Sequence, residues 1–170
     1  MEENYLIARD NKFVHLRNYS QYSLSKGALR IKELVNFCKD EKMPATAISD
    51  FNNLFGSLEF CIECEKNGIQ PIIGSNILIK DEKYKNGYIL LLCKNKVGYK
   101  NLIKLVSKSY LEKTTTDNPY LSLTDLKHQK NGLMCLCGGE FGILTNNYKE
   151  NKLLSDNLIG ELNEIYNDNF

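Results

Sequence analysis

Only two histidines and six cysteines accompany the carboxylates of this chain, which limits what it could do chemically. A hydrolytic metal centre needs His, Asp and Glu side chains converging from several segments. His15 falls inside an apolar run and reads as a hydrogen-bonded structural histidine. His128 sits among Lys127, Gln129 and Lys130 and reads as solvated surface. Cys61 and Cys64 form a C-x-x-C, and Cys135 and Cys137 a C-x-C. Zinc ligands favour turns and low-pKa thiols favour helix N-termini. Here Cys61 falls on an apolar helical stripe and the second pair in a strand-like run, so the six read as reduced thiols, several filling the core. Ser20 and Ser23 have no evident His/Asp partners for nucleophilic catalysis. Gly138-Gly139 lacks the flanking glycines and lysine of a phosphate-cradling loop. Lys94, Lys96, Lys100, Lys104 and Lys108, interleaved with Tyr99, have the charge to track a phosphate backbone. Their spacing makes them more simply the solvated face of an amphipathic helix.

The elements that must position these residues follow from periodicity. Phe13–Leu16 reads as a short strand, and Ser23–Gly27 as a polar connection into a helix over about Ala28–Lys42 with the stripe Ile31, Leu34, Val35 and Cys38. Met43-Pro44 stops it, and Ala45–Ser49 supplies a strand. Asp50–Asn53 offers capping side chains ahead of a second helix, with Asp50 the expected N-cap, inner face Leu54, Leu58, Cys61 and Ile62, and Gly68 as terminator. Pro71–Ile73 and Ile77–Ile79 bracket Gly74 as a kinked third strand. Tyr88–Cys93 is the most apolar strand, and a helix follows with Tyr99, Leu102, Ile103, Val106 and Tyr110 on one side. Thr114–Pro119 reads as a loop, Leu123–Lys127 as a short helix, Leu133–Cys137 as a strand, and about Glu150–Tyr166 as a final helix burying Leu154, Leu158, Leu162 and Ile165. Apolar strands alternating with helices predict an α/β fold with parallel strands and outer helices, open or curled into a barrel. In either case ligands bind at the carboxyl ends of the strands.

Charge excludes little. The 22 basic and 21 acidic side chains leave a net charge of +1, so no global field favours nucleic acid. No apolar run reaches the ~20 residues of a membrane span, and the acidic start Met1-Glu2-Glu3 is unlike a signal peptide. A cytoplasmic protein without a membrane partner is expected.

Several segments, in order, carry a resemblance. Phe13-Val14-His15-Leu16-Arg17-Asn18-Tyr19-Ser20-Gln21-Tyr22-Ser23-Leu24 is similar to F-x-H-L-H-x-H-[ST]-x-[YF]-S-L, and Gly27–Val35 is similar to the segment after it. Met43-Pro44-Ala45 through Ser49-Asp50-Phe51-Asn52-Asn53-Leu54-Phe55-Gly56 to Phe60 is similar to M-P-A-x-A-[IL]-T-D-H-x-N-[LM]-F-G-x-x-E-F. Gly68-Ile69-Gln70-Pro71-Ile72-Ile73-Gly74 matches G-I-[KQ]-P-I-x-G, and Gly98–Leu102 with Ser109–Glu112 continue the series. Together these resemble the PHP (polymerase and histidinol phosphatase) domain that opens bacterial DNA polymerase III alpha subunits. The resemblance implies the front portion of a distorted seven-stranded β/α barrel. It makes 1–170 a single domain with 1–12 as an extension and the barrel incomplete at Phe170. It places the polymerase centre far downstream, outside this sequence.

The departures from the pattern set the functional expectation. Metal-competent relatives hold Zn, Mn or Mg through ligands that the resemblance aligns with Arg17, Tyr19, Lys26, Phe51, Asn76 and Gly139, leaving Asp50 and Glu59 as polar remnants. Arginine has no lone pair to give a cation, lysine opposes one, and phenylalanine has no donor atom. No catalytic residue, metal or other cofactor is therefore expected; instead Arg17 and Lys26 bring positive charge to pair with Asp50 or Glu59. The resemblance implies a scaffold role in DNA replication. Its partners would be the rest of the alpha subunit and the proofreading exonuclease subunit, with DNA met only through the holoenzyme. The alternative is a residual metal-dependent phosphoesterase or 3′–5′ exonuclease. A barrel cut short also leaves open edges, so an isolated chain is expected to be poorly soluble or oligomeric.

Overall fold

The computed structural model describes residues 13–111 and 118–170. Four strands and six α-helices occur among them, with strand order β1-β2-β3-β4 for β1 (Ala45–Phe51), β2 (Gln70–Ile79), β3 (Gly87–Cys93) and β4 (Leu133–Leu136). The chain divides into two compact units that meet at Gly74 and Ser75, inside β2.

In the first unit, α1 (Ile31–Asp40) buries the expected stripe of Ile31, Leu34, Val35 and Cys38. It begins three residues later than Ala28 because 28–30 are held extended. The Gln21 N–H donates to the Leu29 carbonyl at 2.9 Å, Ser20 and Leu29 form a parallel bridge, and Arg30 has φ −78° and ψ 137°. It ends by Asp40, where Lys42 turns left-handed at φ 54° and the Met43 N–H reaches back to the Cys38 carbonyl at 2.8 Å.

The helix α2 (Ser57–Lys66) corrects two expectations. Its N-cap is Gly56, not Asp50, because β1 runs on through Asp50 to Phe51. Its buried face is Ser57, Phe60 and Cys64, while Leu58 is 73% exposed and Ile62 44%. Both stripes have helical spacing, so periodicity alone could not choose between them. The choice is made at Gly56, where an added Cβ would lie 3.0 Å from Ile31 and Ile48 side-chain atoms. That contact turns Phe60, one turn on, into the cluster of Ile31, Val35, Cys38, Ile48 and Ile69. Gly68, at φ 65°, ends the helix as expected.

The predicted strand at Phe13–Leu16 is not one. The stretch 13–19 has no strand assignment, although the Ala47 N–H donates to the His15 carbonyl and the Ser49 N–H to the Asn18 carbonyl, both at 2.9 Å. Three residues on one side span two on the other, and such a mismatch breaks a regular ladder. The two segments expected on either side of Gly74 belong to one ten-residue strand, β2.

In the second unit, β3 pairs antiparallel with β4, in register Leu90↔Leu136 to Cys93↔Leu133, which corrects the all-parallel expectation. Between them lie two helices, α3 (Lys96–Leu111) and α4 (Leu123–His128), rather than a single crossover helix. The expected side of α3 is also turned. Gly98, Leu102, Leu105 and Ser109 are buried, while Tyr99, Ile103 and Tyr110 are exposed. Gly98 abuts the Gly132 backbone so closely that a Cβ would meet the carbonyl at 1.9 Å, which fixes the inner face.

A helix the sequence did not suggest, α5 (Ile143–Glu150), precedes α6 (Lys152–Tyr166). The latter is capped by the Asn151 side chain and buries Leu158, Leu162 and Ile165, with Leu154 only half-buried. The loop expected at Thr114–Pro119 lies largely outside the described residues.

Candidate functional site

The carboxyl end of β1 brings together Tyr19, Ser20, Ser23, Lys26, Asp50 and Phe51. Asp50 is 2% exposed, and its carboxylate accepts from the Ser20 N–H at 2.7 Å, the Ser20 hydroxyl at 2.7 Å and the Ser23 hydroxyl at 2.5 Å. The loop supplying these donors is closed on itself. The Ser23 N–H donates to the Ser20 carbonyl, and the Lys26 and Gly27 N–H groups to the Ser23 carbonyl, at 2.8–2.9 Å. Gly27 is required there, because a Cβ would stand 2.2 Å from the Ser20 carbonyl oxygen.

Each serine hydroxyl also accepts: that of Ser20 from the Tyr22 N–H at 3.1 Å, that of Ser23 from the Phe51 N–H at 3.2 Å. The expectation that these serines lack an acidic partner is thus corrected: Asp50 is their partner, reached across 27 and 30 residues. A hydroxyl bonded directly to the carboxylate, with no imidazole relaying its proton, is built to hold the loop rather than to attack.

Beside this clamp, in the first unit, lie Tyr19, Lys26, Phe51 and Glu59. Phe51, the last residue of β1, stacks on Tyr19 with ring centroids 4.6 Å apart and planes tilted by 45°, and the Lys26 ammonium sits 3.9 Å from the Phe51 centroid. Glu59, on α2, accepts the Tyr22 hydroxyl at 2.9 Å, and this hydrogen bond to a carboxylate pushes the Tyr22 phenol above its usual range. Arg17 is exposed in the stretch before the loop. Asn76, buried in β2, and Gly139, in a turn at φ 101°, belong to the second unit.

A divalent ion does not fit this donor set. Both Asp50 oxygens are engaged by hydrogen-bond donors, a phenyl ring occupies one position and an ammonium another. Among the described residues no group of three or more His, Cys, Asp or Glu side chains is placed to hold a metal ion.

The six cysteines are free. Burial pushes the Cys64 and Cys93 thiols up to about 12 and raises those of Cys38 and Cys135, which keeps them protonated. Lys96, Lys100 and Lys104 are exposed along α3, but Lys108 forms a 2.8 Å ion pair with Asp125. The ring of His15 meets that of Phe13 edge-on at 4.7 Å. No helix of the described residues is long and apolar enough to cross a membrane.

The PHP domain pattern matches residues 15–170, a span that includes Asp50 and the loop that grips it. The chain belongs to the PHP domain family. Within the family it is similar to DNA polymerase III subunit alpha of Rickettsia felis, 39% identical over 133 residues, and of Rickettsia bellii, 36% identical over 167 residues; these alignments cover 78% and 94% of this chain. The chain spans 11% and 14% of the length of those relatives. An amidohydrolase structure from Chromobacterium violaceum overlaps 56% of this chain and 32% of its own, with TM-score 0.47 and 18% identity.

Proposed function

We propose that this chain is the N-terminal PHP portion of a DNA polymerase III alpha subunit and acts in DNA replication as a scaffold without hydrolytic chemistry of its own. The observation that carries the reading is the 36% identity to such a subunit over 94% of the chain; the Lys26–Phe51 contact, at positions the resemblance aligns with metal ligands, supports it. On this reading the four strands are part of a β/α barrel completed by the rest of the subunit. That remainder is the first partner, the proofreading exonuclease subunit docks as a second, and DNA is met only through the assembled polymerase in the cytoplasm. Arg17 and Lys26 balance the Asp50 and Glu59 carboxylates where relatives hold cations.

Two measurements test the proposal. Purified protein, assayed with Mn2+ or Zn2+ on phosphate monoesters and on 3′-ended single-stranded DNA, is expected to release no phosphate or nucleotide above a chelated control. Chelator-sensitive release would favour a residual phosphoesterase or exonuclease and overturn the scaffold role. Immunopurification from its own cells followed by peptide mass spectrometry is expected to recover alpha-subunit sequence beyond residue 170, in the same chain or bound to it. Recovery of the 170 residues alone would overturn the placement in the polymerase.

A further inference from the structure

A metal centre does mechanical work as well as chemistry, because ligands from a loop and a strand bound to one ion are cross-linked by it. The residues at the end of β1 make that cross-link by other means. The Ser20–Gly27 loop is tied to the strand through two hydroxyls on Asp50, through the Phe51 N–H on Ser23, and through the Lys26 ammonium over the Phe51 ring. Lys26 is delivered there by its backbone, since its N–H donates to the Ser23 carbonyl at 2.9 Å and Ser25 before it takes the left-handed φ of 62°. The ring it covers is itself backed by Tyr19 at 4.6 Å.

We infer that the Lys26 ammonium, seated over the Phe51 ring, is a covalently attached replacement for the metal. It is a resident cation that latches the Ser20–Gly27 loop onto β1, so the loop closes without any divalent ion. The attraction of an ammonium for an aromatic face needs no lone pair, which is why the loss of ligands at positions 19 and 51 and the gain of a cation at position 26 belong together. This does not depend on the role in replication; it concerns how the site holds itself shut.

The test uses the full chain, with thermal unfolding and amide hydrogen exchange at residues 20–27 as readouts. The unaltered protein is expected to melt at the same temperature with Mn2+, Zn2+ or EDTA. Lys26→Met, which keeps the stem and removes the charge, is expected to lower Tm by roughly 2–4 °C and to speed exchange in the loop a few-fold. Lys26→Arg is expected to retain both values. In a Phe51→Leu background, Lys26→Met is expected to cost almost nothing further, because its partner is gone. Unchanged Tm and loop exchange in Lys26→Met would overturn the inference. So would an undiminished loss in the Phe51→Leu background, or a metal-dependent rise in the Tm of the unaltered chain.

Discussion

Asp50 in the first unit and Asp125 in the second are both buried carboxylates that accept from serine, and they hold their surroundings in different ways. Asp125 closes a capping box at the start of α4. Its carboxylate takes the Ser122 N–H and hydroxyl at 2.8 Å, the Ser122 hydroxyl takes the Asp125 N–H, and Lys108 supplies a cation at 2.8 Å. Apart from Lys108, every partner lies three residues away. Asp50 takes donors from a loop 27 to 30 residues earlier in the chain, with hydroxyls and an N–H in place of a direct cation contact among those bonds. The first arrangement stabilises one end of one helix. The second fixes where a loop lies on a sheet, so its loss should be felt across the unit.

Substitution can widen or erase that contrast. Asp50→Ala has the largest expected effect, because two buried hydroxyls and an N–H lose their acceptor at once; a loss on the order of 3–5 kcal/mol is expected by urea unfolding, with exchange rising across residues 18–29 and 45–53. A variant as stable as the parent would remove the claim that Asp50 organises the unit. Next is Gly27→Ala, whose Cβ would stand 2.2 Å from the Ser20 carbonyl oxygen; a loss of about 2 kcal/mol is expected, confined to the first unit by exchange, and an unchanged melt would show the loop to be looser than described.

The smallest effect belongs to Asp125→Asn, about 1 kcal/mol at neutral pH, and it carries a pH signature. Partial burial opposes ionisation of Asp125, but its hydrogen bonds with Lys108 and Ser122 outweigh that and hold the carboxyl below the usual aspartate range. A depressed folded pKa stabilises the protein above the unfolded pKa, and that contribution is lost as pH falls through the folded value. The stability difference between parent and Asp125→Asn should therefore shrink below about pH 4. A difference constant from pH 7 to pH 2 would deny the carboxylate its electrostatic part.

The same contrast explains what the sequence disclosed. The α1 stripe depends on spacings of three and four residues, which a linear reading can see. The Ser20 and Ser23 bonds to Asp50 depend on two distant segments meeting, and no local period records that. Tyr19, Lys26 and Phe51 could be grouped beforehand only through the family resemblance, which supplied the long-range alignment that periodicity lacks. In α2 and α3 each helix has two apolar stripes, and which one faces inward was settled by Gly56 and Gly98, whose missing side chains are a signal only once the neighbouring segment is known. β4 was expected as a strand, but its antiparallel direction depends on its pairing with β3, which no local period records; the additional α5 was missed because a short element beside Gly138, Gly139 and Gly142 carries too little period to read.

At Gly98 the α3 backbone rests against Gly132, which itself has φ 75° and whose carbonyl also receives the Lys94 N–H at 2.9 Å. Main chain touches main chain at that point, with no side chain to yield, so the pair behaves as a mechanical stop rather than a cushion. Variant surveys of this protein would record a sharp intolerance at both positions, in the unit that does not contain Asp50. Such a signal marks where two segments have run out of room, and a map of sensitive residues that equated intolerance with chemistry would put the working surface in the wrong place.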